Sequence, residues 1–442
     1  MEYSLSALLP GIIQGAEMVL FRWLSLLLCL LFASQAAYAL PESDIPDWIE
    51  DIDHYQQQLE ARHINLYHTI TQRQFEKELT QLKASLEEID EPRLLVELMR
   101  ISRLIGDGHT QVAYWEQDID LYPFRFVNIG GALFLTGSGP AHKHLLGYRL
   151  AAIDAMPIEK VMDKLSPVAQ GVENPHSLKV RLAWHINIAQ FLYALNITGR
   201  PDLANYTFVN DSGEKEVVPT QPASMSRYRK QVTASLVSKK IPLGAKRVIE
   251  SENLWMSADD SQQVAYIYFR RYPSYSDMED FAEDIADYLQ DRKIKNLIID
   301  LRDNGGGDFF VGLLMARSLV LVDTIDWDHG VYTLIGNKTF SAGMSNAAQY
   351  RQLLNAKLVG EPTGANPVGY QDMDQFSLPN SDWTITYSKR NYRFQDADTK
   401  GVQPDVLIKQ KLQDYKQGLD QPLAWVLRDI NKRQNGAAGT TR

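Results

Sequence analysis

In EPRLLVELMRISRLIGDGHT, residues 91 to 110, Leu94, Leu98, Ile101 and Ile105 recur at spacings of three and four, which predicts a helix with one buried face. Pro92 opens that helix and Gly106 closes it. The same periodicity runs from Pro46 onward, so residues 40–115 read as a helical N-terminal region. His109 falls just past the helix end, in a turn made by Gly106, Asp107 and Gly108. A histidine there is held by a packed helix yet free to face a cleft.

The pattern then changes. Residues 116–200 alternate short apolar runs, as in FRFVNIGGALFLTG, with LLGYRLAAIDAMPIEKVMDKL, where strand, tight turn and helix follow in order; this predicts a small β-rich module. Residues 201–255 read as a β connector with polar loops. From Val264 the runs VAYIYF, NLIIDL, VYTLI and KLVGE predict strands that alternate with helices. In the first of these helices Ser276 and Glu279 suggest a capping box, with Met278, Phe281, Ile285 and Leu289 facing inward. The others are expected at about 309 to 319 and 341 to 354. Such alternation predicts an α/β domain over 256–434, with a parallel sheet, right-handed crossovers and a C-terminal helix. The tail NGAAGTTR, residues 435–442, reads as disordered.

Composition narrows the chemistry. The chain has 442 residues, of which 45% are hydrophobic, enough for two or three packed cores. Its formal net charge of −10 argues against a phosphate-neutralising surface, so nucleic acid is not an expected partner. MVLFRWLSLLLCLLFASQAAYA combines Arg22, an apolar run and small residues ending at Ala39, the pattern of a signal peptide over residues 1–39. That run is too short to span a membrane comfortably, so no stable span is expected once the signal is removed. The expected location is therefore periplasmic or extracellular. The only cysteine, Cys29, lies in the leader, so thiol nucleophiles, disulfides and thiolate metal sites are excluded from the mature chain. No histidine pattern argues for zinc, and neither metal nor cofactor is expected.

Two serines remain as candidate nucleophiles. Ser341 sits where VYTLI has ended and a helix begins, so the backbone N–H groups after it are unpaired and favour negative charge. Ser345 lies one turn deeper, past the corner that a nucleophile elbow requires, and reads as a packing or hydrogen-bonding residue. RDNGGG follows the strand NLIIDL; its glycines turn the backbone tightly and present amides. Both loops leave the carboxyl ends of predicted parallel strands, where ligands gather, so Gly306 and Ser341 are expected to share one cleft.

As an ordered set, IIDLRDNGGG, NKTFSAGMSNAAQ, KLVGEPTGANP, SLPNSDWTITYS and KGVQPDV resemble the C-terminal processing (tail-specific) serine protease family, whose branches include the tricorn core protease and interphotoreceptor retinoid-binding protein. The likeness is close over about 264 to 410 and looser upstream, where GYRLAAIDAMPI is similar to the family's PDZ-like insertion. It implies a ClpP/crotonase-like α/β catalytic domain and an exported serine endopeptidase acting on protein or peptide substrates. It also implies Ser341 as nucleophile, with oxyanion donors at the N–H groups of Ala342 and Gly306. Gly305, Gly307 and Gly364 are the implied substrate-binding positions. The lysine used by the better-known branch is replaced by Asn366, which disfavours a Ser-Lys dyad. The tricorn-like branch implies His109 as general base and Asp398, ahead of GVQPD, as the carboxylate that steadies it. The serine that this branch carries next to its histidine is Gly108 here. Two competing readings are a non-catalytic binder of peptide or lipophilic ligand on the same fold, and an esterase using Ser345.

Overall fold

The computed structural model describes residues 39–237, 241–243, 247–250 and 252–439. Cys29 and all of the expected leader except Ala39 lie outside them.

Three helices, Ile45–Arg62, Gln72–Ala84 and Glu91–Ile105, form the N-terminal region. The third starts at Asp90, whose carboxylate accepts from the N–H of Arg93 at 3.0 Å, and ends at Gly106 with φ 91°, the left-handed geometry that glycine adopts without strain. Leu94, Leu98, Ile101 and Ile105 are all buried. They do not make a core of their own. The helices share one hydrophobic core with the following sheet, in which Leu135, Leu150, Ile153, Tyr206 and Phe208 are buried.

That sheet corrects two expected boundaries. Its antiparallel strands Phe124–Ile129, Ala132–Ser138 and Arg149–Ile153 continue into Ala204–Val209 and Lys215–Thr220, because Arg149–Ile153 pairs with Ala204–Val209. The expected division at 200 therefore falls inside one sheet, and the division at 115 falls inside one core. Helices Pro175–His185 and Ala189–Ala194 also interrupt the segment expected to be β-rich.

The second half is the α/β layer structure that the alternation predicts. Leu254–Asp259 pairs antiparallel with Val264–Phe269, after which Asn296–Asp300, Val331–Ile335, Lys357–Gly360 and Val406–Leu407 join in parallel order. Helices Tyr275–Asp291, Phe309–Leu319 and Ala342–Leu353 pack on one face around Met278, Ile285, Met315 and Met344. The other face is covered by Gln421–Gly439 through Leu423, Val426 and Ile430. The first of these helices is capped by Ser274, which accepts from Asp277 N at 3.1 Å, two residues before the expected Ser276. The C-terminal helix continues to Gly439 through most of the tail expected to be disordered.

A hairpin links the two halves. Its strands Val368–Ser377 and Thr384–Arg393 pair with each other, the second also pairs with Gln111–Val112, and the hairpin buries Phe376, Trp383 and Ile385 in the N-terminal core. The segment just after His109 is thereby stitched to a chain region that follows Ser341.

Candidate active site

Asn296–Asp300 and Val331–Ile335 are neighbouring parallel strands, and the loops that leave their carboxyl ends meet. A Cβ placed on Gly306 would lie 2.6 Å from Ser341 Cβ, so only glycine lets the two loops touch. Ser341 itself has φ 47° and ψ −127°, a strained conformation for a residue with a side chain, and stands immediately before the helix Ala342–Leu353. Ser341, and not Ser345, stands at the corner where the helix begins. Ser345 is buried, and its hydroxyl donates to Ser341 O at 3.3 Å.

His109 reaches this corner from the other core. Its Nε2 lies 3.0 Å from Ser341 Oγ, and its ring stacks on Phe340 with centroids 5.5 Å apart. On the far side of the ring, Nδ1 lies 3.1 Å from Glu173 Oε1, with both side chains almost wholly buried. Neither of those two atoms has another hydrogen-bond partner, so they answer each other. With a proton on Nδ1, Nε2 is left as the acceptor for the Ser341 hydroxyl. Burial pushes the His109 pKa down, but the Glu173 carboxylate beside it, with Asp107 behind, outweighs burial and holds the imidazole above its ordinary value.

Glu173 is held in turn. Its Oε2 accepts from the backbone N–H of Asn366 at 2.6 Å, and the Asn366 side chain joins Asn174 Nδ2 at 2.9 Å to the N–H of Gly401 at 3.0 Å. The position occupied by lysine in another branch thus organises the loops around the carboxylate. Asp398, expected to steady His109, is exposed and has no hydrogen bond or ion pair among the described residues; Glu173 occupies that place. The sequence offered one signal for it, an acidic residue within QGVENP directly before the capping box of Asn174 and Ser177. Gly108 is explained by the same packing, because a Cβ there would come within 2.7 Å of Glu173 Cγ and 2.9 Å of Phe340 Cζ.

Asp107 fixes the turn. Its carboxylate accepts from the N–H groups of His109 and Thr110, from the hydroxyls of Thr110 and Ser388, and from His63 Nε2 at 2.9 Å. Burial pushes this carboxyl up, but the hydrogen bond and charge of His63, with Ser388 and His109, outweigh it and pull the pKa down to about 2.

Residues 263–325 and 322–408 match the model of peptidase family S41. The likeness to peptidase family S41 lies within the α/β domain. Comparison with curated protein sequences finds no match. Among solved structures, mature CPAF complexed with lactacystin superposes with a TM-score of 0.59 at 12% identity, covering 89% of this chain and 98% of that one. Mature CPAF gives 0.60 at 12% identity, covering 87% and 96%. At this identity the likeness is one of fold. The photosystem II D1 C-terminal processing protease aligns over 81% of this chain and 92% of its own at 12% identity, with a TM-score of 0.40.

Within the α/β domain the remaining expected positions separate. Ala342 N–H has no hydrogen-bond partner among the described residues and opens the helix beside Ser341. The N–H of Gly306 donates to Asn304 Oδ1 at 3.0 Å, so the expected second donor is already engaged. Gly307, whose N–H has no partner among the described residues, lines a cleft of about 350 Å³ with Ser341, Ala342, Phe309, Gln371 and Tyr392. Gly305 is exposed at the loop's tip. Gly364 is buried, its N–H donates to Thr339 O at 2.9 Å, and a Cβ there would run into Asn337 O; it is not among the residues that line the cleft.

Proposed function

We propose that the protein is an exported serine endopeptidase working through Ser341, His109 and Glu173. The observation that carries this reading is the single line of contacts from Ser341 Oγ through the His109 ring to Glu173, at 3.0 and 3.1 Å. Ser341 Oγ attacks the scissile carbonyl carbon while its proton passes to His109 Nε2. The carbonyl π electrons move onto oxygen, which the N–H groups of Ala342 and Gly307 stabilise. The C–N bond then breaks, and His109 returns the proton to the leaving amine. Water attacks the resulting ester, gives a proton to His109, and Ser341 leaves as the reprotonated hydroxyl. Glu173 holds the Nδ1 tautomer and offsets the charge on the imidazolium. Export rests on the signal-like leader, with Leu40 as the expected first residue of the mature chain.

Ser341→Ala tests the reading. Peptide cleavage is expected to fall by at least about 10⁴-fold and covalent labelling by a fluorophosphonate to disappear. Absence of labelling in the wild type would favour a non-catalytic binder instead. Labelling that survives Ser341→Ala and vanishes in Ser345→Ala would favour the esterase reading.

A further inference from the structure

Next to the cleft lies a second concavity, a groove of about 550 Å³ lined by Tyr275, Phe310, Leu313, Leu314, Val320 and Leu353. Its walls are apolar and open to solvent: Phe310 is 51% exposed, Leu353 55% and Val320 46%. Exposed apolar side chains gathered in one concave strip mark a binding surface more often than scattered ones do. Two observations say what covers it. Phe310 lines both this groove and the cleft that holds Ser341, so the two adjoin at that side chain. An aromatic wall also runs between them, with Phe309 against Phe310 at 4.2 Å and against Tyr392 of the cleft at 5.6 Å.

We infer that this groove receives apolar side chains of the polypeptide substrate, several residues away from the bond that is cut. This rests on the endopeptidase reading above and adds a preference to it. From Phe310 to Val320 the helix Phe309–Leu319 and its cap present about 15 Å of surface. An extended peptide covers that length with about four or five residues. The occupant is therefore a stretch of unfolded chain rich in Leu, Phe or Val, continuing out of the cleft. Among the described residues Arg317 is the one charged side chain lining the groove, which disfavours lysine or arginine in the occupant.

The test uses the full chain and a short peptide that it cleaves, identified from a digest of unfolded casein. That peptide is extended on either side by five residues carrying either Leu and Phe or Ser and Asn. The apolar extension on one side is expected to lower KM about tenfold relative to the polar one. Val320→Asp combined with Leu353→Asp is expected to erase that difference while leaving kcat and KM for the short peptide unchanged. Equal KM for the two extensions, or an advantage that survives in the double variant, overturns the inference while leaving the endopeptidase reading intact. A wild-type dimer in sedimentation that the double variant converts to monomer also overturns it, because a second copy would then fill the groove. If the wild type cleaves no peptide at all, the endopeptidase reading falls and this inference with it.

Discussion

At the scale of single residues, the proposed site turns on a carboxylate that motif spacing pointed to in the wrong place. Asp398 stands where the family pattern puts an acid, yet His109 Nδ1 faces Glu173, 64 positions after the histidine. The pairing has a measurable consequence. His109 acts as a base only when neutral, and its pKa is raised, so kcat/KM should climb with pH and reach half its plateau above about pH 6.5, the usual imidazole value. Glu173→Gln removes the neighbouring charge and leaves burial, which favours the neutral ring. The acid limb should then move to lower pH while the plateau falls by about 10²- to 10⁴-fold, through loss of the tautomer and of charge compensation. A pH–rate profile of the two proteins checks both parts; an unmoved limb would remove Glu173 from the mechanism. Glu173 was not legible because its place before the capping box of Asn174 does not by itself distinguish a buried carboxylate from a solvated one.

At the scale of elements, much was legible. The helix ending at Gly106, the strand and helix alternation after Val264, and the corner at Ser341 all follow from periodicity, glycine and proline. The glycine loop shows where that reading stops. Its closeness to Ser341 follows from two strand ends, but which N–H is left without a partner does not, because one side-chain acceptor, Asn304 Oδ1, engages the N–H of Gly306. Gly306→Ala puts a methyl group within 2.6 Å of Ser341 Cβ on backbone with φ 115°. The expected result is a loss of about 1 to 3 kcal/mol in stability, read by urea unfolding. A fall in kcat with little change in KM should accompany it, because the loop displaces the nucleophile more than it displaces bound peptide.

At the scale of the molecule, the proposed site is assembled from two cores. Ser341 belongs to the α/β layers; His109 and Glu173 are carried by segments that flank the N-terminal core, and the hairpin Val368–Ser377 with Thr384–Arg393 ties the halves. Asp107 is the knot, joining His63, the His109 turn and Ser388 of the hairpin. Its pKa is depressed to about 2, so its contribution to stability is present above about pH 4 and is lost as pH falls toward 2. Asp107→Asn should cost about 3 to 5 kcal/mol at pH 7, since a buried partner network loses its charge. The variant should also show a flatter dependence of stability on pH between 4 and 2, measured by denaturant titration at each pH.

The sequence by itself determined the local pieces: helices from their apolar spacing, a parallel sheet from strand and helix alternation, a serine at a strand-to-helix corner, and a histidine at a helix end. These depend on interactions within a few residues, which the order of side chains records directly. Only the tertiary structure decided that the first sheet crosses residue 200, that the N-terminal helices share its core, and that Glu173 rather than Asp398 meets His109. Those outcomes depend on which surfaces bury each other across 60 to 230 positions of chain, a choice made by packing and charge pairing in three dimensions.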